Sequence, residues 1–137
     1  MKPPPNRTLD RAAARALRGA RARISGHRLE WVAAAWLMLK GYRILGFRLK
    51  APQGEIDLLA QRGDVLAVVE VKSRASLAAA LEAVGHEQRE RLRRAGQALA
   101  ARRPGLARLN VRLDLLALAP GSLPRHIPDA WSEDAAG

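Results

Sequence analysis

Leu29, Val32, Ala33, Trp36 and Leu37 recur at helical spacing across residues 27–40, and Gly41 follows them. The pattern predicts an amphipathic helix that stops at the glycine. Tyr42 to Leu49 alternates apolar and polar positions loosely, as a strand does. Residues 55–60 and 65–72 are two strand-length apolar runs around Gln61-Arg62-Gly63-Asp64, which predicts a hairpin. Residues 76–84, rich in Ala and Leu, predict a short helix broken at Gly85. A longer helix over 87–102 turns Leu92, Ala95 and Leu99 inward, and the i,i+4 pairs Glu87–Arg91 and Glu90–Arg94 favour it. Pro104-Gly105 ends it. Leu109 to Leu118 predicts a fourth strand, and the rest from Pro120 is loop, with Ile127 and Trp131 as anchors. Trp31, Trp36 and Trp131 are expected in the core. The order helix, three strands, helix, strand implies an α/β fold with a sheet covered by helices.

Composition narrows the class. At 137 residues the chain is sized for one ordinary domain, and with no cysteine it has neither disulfides nor thiolate chemistry. That suits a reducing cytoplasm, the expected location. No apolar run reaches the roughly 18 residues that span a bilayer, so no membrane association is expected. The net charge is +11 and is uneven: residues 1–28 hold eight Lys/Arg against one acid. Residues 1–25 are therefore expected to be a basic arm, 26–131 a folded domain, and 132–137 a tail. Arg11, Arg15 and Arg18 lie at helical spacing in the arm and could present one basic face to nucleic acid. A solvated tail or an organelle transit peptide would share that composition.

Charged residues interrupt the apolar hairpin. Asp57 stands in the first strand, and Glu70 and Lys72 stand in the second. With Ala60 set opposite Val65, Asp57 and Glu70 become diagonal neighbours on one face, roughly 7–8 Å apart at Cα. Two carboxylates so close repel unless a positive charge lies between them. Hard cations prefer carboxylate oxygen, so Mg²⁺ or Mn²⁺ fits better than zinc, with the Val71 carbonyl as a third ligand. Lys72 could orient a metal-activated water or meet a phosphate oxygen. The same residues would also serve as an exposed ion pair at a strand end, and the spacing does not choose between the two.

GHRLEWVAAAWLMLKGYRIL, GEIDLLAQRGDVLAVVEVKSR, the basic helix near RERLRRAGQAL, RLDLLAL and HIPDAW together resemble the YraN family of uncharacterised bacterial proteins. The resemblance covers about residues 26–131. It implies a restriction-endonuclease-like core, a mixed central sheet flanked by helices, similar to archaeal Holliday-junction resolvases. The catalytic pattern of that superfamily falls on Asp57 and on Glu70-Val71-Lys72, and a first-helix glutamate falls on Glu30. By that likeness the expected activity is metal-dependent hydrolysis of DNA, branched DNA included, with a homodimer as the resolvase-like arrangement. The chain departs from the family pattern at Gly85-His86-Glu87-Gln88, where a Thr-Pro and more basic residues are expected.

Other residues carry alternatives. Arg74, Arg91 and Arg94 are candidate phosphate contacts, although Glu87 and Glu90 could neutralise part of the basic helix. Glu55 faces Glu70 in the register above and could support the site. Gln88 is either a surface residue or a contact to substrate or Lys72. Arg112 and Asp114 suggest a structural ion pair. His86 and His126 have no metal-ligand partner at useful spacing and are expected at the surface or at caps. Without a phosphate loop or dinucleotide fingerprint, nucleotide hydrolysis and redox chemistry are unsupported. Two other classes stay open: a nucleic-acid-binding module without chemistry, and an interaction protein whose arm docks on an acidic partner.

Overall fold

A computed structural model describes residues 28–132. The basic arm with Arg11, Arg15 and Arg18 lies outside the described residues. Helix α1 covers 28–39. Strands β1 (Arg43–Ala51), β2 (Gly54–Arg62) and β3 (Val65–Ser73) follow, then helices α2 (Leu77–Glu82) and α3 (His86–Arg102), then β4 (Asn110–Leu118) and β5 (Arg125–Ile127). The five strands form one sheet in chain order. β3 and β4 are parallel and the other neighbours antiparallel. A parallel pair needs a long crossover, which α2 and α3 supply. The chain is thus α/β, with a mixed five-stranded sheet flanked by helices, consistent with a restriction-endonuclease-like core. No described helix is long and apolar enough to cross a membrane.

Each face of the sheet has its own core. Leu59, Leu66, Val68, Leu113 and Leu115 pack with Leu92 and Ala95 of α3. Leu58, Ala60, Ala67, Val69 and Leu116 pack with Ala33, Ala34 and Leu37 of α1. The central strand β3 is therefore buried on both sides, which is why residues 65–71 read as a nearly unbroken apolar run. At Gly96, α3 comes so close to the sheet that a Cβ would stand 2.5 Å from Val68 Cγ2 and 3.1 Å from Val111 Cγ1.

Three expectations are corrected. The buried stripe of α1 is Ala33, Ala34 and Leu37, while Val32 is exposed and Trp31 is 66% exposed, its ring tilted against Phe47 at 5.2 Å. Small alanines meet the sheet from α1, and Trp36 packs against this core only in part. The segment after Pro120 contributes β5, which pairs with Leu115–Ala117 and lets Ile127 and Trp131 pack on the core as expected. The hairpin register also differs: Arg62 pairs with Val65 and Ala60 with Ala67. Gly63 takes φ +59° at the first position of a two-residue loop, a place that favours glycine and reverses the chain without spending Arg62. Asn110 bonds the Asp64 carbonyl at 2.7 Å and its carboxylate at 3.1 Å, tying this turn to the start of β4.

Candidate active site

The corrected register keeps the face of each side chain and changes the partner. Leu58 and Val69 are the last paired residues of the β2–β3 ladder. Asp57 and Glu70 come next, directly across from each other instead of diagonal. Glu55 moves away from Glu70 and pairs with Lys50 on β1. Beyond the ladder the Val71 N–H donates to Asp57 Oδ2 at 3.0 Å. Lys72 Nζ lies 3.2 Å from Glu70 Oε1, and Gln88 Nε2 at the start of α3 donates to the same oxygen at 3.4 Å. Gln88 is thus a site residue, not a plain surface one.

The electrostatics follow from this packing. Glu70 is 4% exposed. Burial and then the neighbouring Asp57 charge push its carboxyl up to about 7, against the opposing pull of Lys72. Asp57 is also raised, by burial, although the Val71 N–H works the other way.

Two hollows meet at these acids. The larger, about 670 Å³, is lined by Lys50, Gln53, Glu55, Gln88 and Arg91 along with Asp57 and Glu70. Gln53 Oε1 is buried there without a hydrogen-bond partner. The smaller, about 290 Å³, adds Leu29, Glu30, Val71 and Lys72 to the same two acids. Glu30 therefore reaches the site's margin, with its carboxylate paired to Arg48 Nε at 3.3 Å. Among the described residues no three His, Cys, Asp or Glu side chains gather as a metal cage. The two raised carboxylates are hard-oxygen donors of the kind that suits Mg²⁺ or Mn²⁺.

The basic candidates surround the acids at different distances. Arg91 lines the larger hollow, and with Arg94 it lines a third, about 370 Å³, on the outer face of α3. Glu90 pairs with Arg93 at 2.6 Å, an i,i+3 contact that replaces the expected pair with Arg94. Arg74 is exposed just past the end of β3, outside both acid hollows.

A second charged cluster occupies the opposite face of the sheet. Asp114 on β4 is fully buried and accepts from Arg112 Nε at 2.7 Å, His126 Nε2 at 2.8 Å and the Asp129 N–H at 3.0 Å. His126 Nδ1 meets Lys40 Nζ, and Arg112 also reaches the Tyr42 hydroxyl. The expected Arg112–Asp114 ion pair is present. The His126 side chain is wholly buried, which corrects its surface assignment. Burial opposes ionisation of Asp114, but bonds from His126, Arg112 and Asp129 hold it below the usual carboxylate range. An aspartate inside the apolar run LDLLAL was the one signal for this lock. With Asp114 held by so many donors, it closes β5 onto the sheet.

A family model described as uncharacterised protein family UPF0102 matches residues 29–118, a stretch that holds Glu30, Asp57, Glu70 and Lys72. A UPF0102 protein of Caulobacter sp. (strain K31) is 68% identical over 122 residues, covering 89% of this chain and 88% of its own. One from Caulobacter vibrioides (strain NA1000 / CB15N) is 66% identical over 120 residues, 88% of this chain and 96% of its own. One from Paramagnetospirillum magneticum is 54% identical over 109 residues, 77% and 84% of the two chains.

Proposed function

The chain belongs to the uncharacterised protein family UPF0102, and we propose that this member is a metal-dependent nuclease that hydrolyses DNA phosphodiesters, branched DNA among its substrates. One observation carries the proposal: buried Glu70 and half-buried Asp57 converge, with the Asp57 charge opposing ionisation of Glu70, in a hollow that Lys72 also borders. Acids without a ligand role would gain by moving apart or by full neutralisation. Asp57, Glu70 and the Val71 carbonyl would hold Mg²⁺ or Mn²⁺. Such an ion would acidify a bound water and offset charge on the phosphate. Lys72 stands ready to donate to a phosphate oxygen or to orient the attacking water, with Glu70 fixing its ammonium. Gln88 holds Glu70 from the other side, and Arg91 gives the larger hollow a positive edge. Glu30, tethered by Arg48, would act at the margin of the site.

The test compares Mg²⁺-dependent cleavage of branched, flapped and duplex DNA by the wild type, Asp57→Ala and Lys72→Ala. Cleavage by the wild type with a loss of about a hundredfold or more in each variant is expected. Equal or absent cleavage in all three overturns the proposal. One observation favours a non-catalytic binding module instead: Glu70 Oε1 is already engaged by both Lys72 and Gln88. That alternative predicts salt-sensitive DNA binding that survives Asp57→Ala.

A further inference from the structure

We infer that the cleft between Arg74 and Arg125 is a second phosphate subsite, which holds a backbone phosphate of the nucleic acid whose hydrolysis is proposed above, and so rests on that proposal. The cleft, about 130 Å³, is lined by Arg74, Ser76, Ser122 and Arg125, with Leu77 and three alanines as its apolar wall. No carboxylate lines it. Arg74 spends one guanidinium N–H on the Ser73 carbonyl at 2.7 Å, and Arg125 makes no ion pair among the described residues. Two guanidinium groups facing one small space repel each other unless an anion lies between them.

The main chain that carries these donors is held in place. The Arg74 N–H bonds the Leu118 carbonyl at 3.0 Å, which fixes Arg74 at the end of the β3–β4 ladder. Arg125 pairs with Ala117 in β5. Ser122 is set by its N–H to the Ala119 carbonyl at 3.1 Å. Ser76 Oγ already accepts from the Ala79 N–H, so its own proton points elsewhere and can be donated. Two planar forks and two hydroxyls offer more donors than the two oxygens of a carboxylate can use, and they suit the oxygens of a phosphate.

The position ties the cleft to the acid site. Lys72 pairs with Ala117, and Ala117 pairs with Arg125, so the three residues lie in one row across the sheet. Paired residues share a face, and two strand spacings separate Lys72 from Arg125 by about 10 Å at Cα. That is the scale of the gap between nearby phosphates on one strand, whose backbone path is longer than the axial rise per base. A polynucleotide seated at Lys72 would therefore reach the cleft with a neighbouring phosphate, whereas a free phosphate would have no reason to favour this row.

The experiment measures binding of a fluorescein-labelled 20-base-pair duplex across a salt series for the wild type, Arg74→Gln/Arg125→Gln and Arg108→Gln. Arg108 is exposed and lies outside every hollow described above. The double variant should flatten the plot of log K against log salt by about one contact and bind about tenfold more weakly near 0.1 M. Arg108→Gln should do neither. Both substituted arginines are exposed, and matching thermal melts establish that the variants are folded. An unchanged slope and affinity in the double variant, with wild-type cleavage intact, overturns the subsite alone. Failure of the wild type to bind the duplex overturns both the subsite and the function it rests on. A parallel titration with inorganic phosphate separates the sources. Arginine-dependent phosphate binding without any effect on the duplex makes the cleft a small-anion site and overturns the backbone assignment.

Discussion

The Val71 N–H donates to Oδ2 of Asp57 at 3.0 Å, so a side chain satisfies a main-chain donor just past the last rung of the β2–β3 ladder. Asp57 is therefore both a ligand candidate and part of the hairpin's closure. Asp57→Asn keeps an acceptor for that N–H while removing the charge. It should fold, and it should lose the response to cation. Addition of Mg²⁺ or Mn²⁺ should raise the melting temperature of the wild type, by about 3 kcal/mol of stability at a hundred times the dissociation constant. The variant should show no rise. An equal rise in both, followed by calorimetry, would place the ion elsewhere.

Acidity gives an independent check. The Glu70 carboxyl sits at about 7 in the folded chain against an ordinary 4.5. The folded state thus holds the proton more tightly between those values. Stability of the metal-free protein is greatest on this account below pH 4.5 and declines as pH rises to about 7, by about 3 kcal/mol. The decline belongs to the Asp57–Glu70 pair, because the two titrate together. Glu70→Gln should remove most of it. Urea midpoints at pH 5 and pH 8 measure the effect, and a wild-type midpoint that does not fall would contradict the burial of this acid.

Gly96→Ala should destabilise the fold despite alanine's better helix propensity. The new methyl would meet Val68 Cγ2 at 2.5 Å, and valine is stiff at that bond. Overpacking costs about 1–3 kcal/mol and the propensity gain returns about 1. Chemical denaturation should show a net loss of about 1 kcal/mol.

Asp114→Ala would leave Arg112 and His126 without their shared acceptor on the α1 side of the sheet. Removing one partner of a buried charged pair costs about 3–5 kcal/mol. Because Asp114 is held below the usual carboxylate range, its contribution is present above about pH 4 and fades as pH falls further. Melts at pH 7 and pH 3 of wild type and variant should therefore converge in acid.

Much of this architecture is legible along the chain because β3 is buried on both sides, and only charged residues with a task interrupt such a run. The hairpin, the face shared by Asp57 and Glu70, and helix α3 all follow from local pattern. The pairing register depends on whether the turn is centred on residues 62–63 or on 63–64, which rests on one glycine's φ. Val32 misleads because helical spacing marks a stripe without fixing which edge of it meets the sheet. Strand β5 and buried His126 are invisible locally, since three residues carry no period and His126 acquires its partners from Lys40 and Asp114, far away in sequence. Gln88 joins the site for the same reason, through a contact that only the crossover creates.

Both acids of the candidate centre ride on a single hairpin whose reversal is just two residues long. Bringing them together therefore requires closing only a short loop, a step that costs little chain entropy and can occur early in folding. The basic groups of α3 and the Arg74–Arg125 cleft depend on the docked crossover and would be expected to join later. If the proposed function holds, the acids that would do the chemistry and the basic groups that would hold the substrate would come together at separate stages of folding.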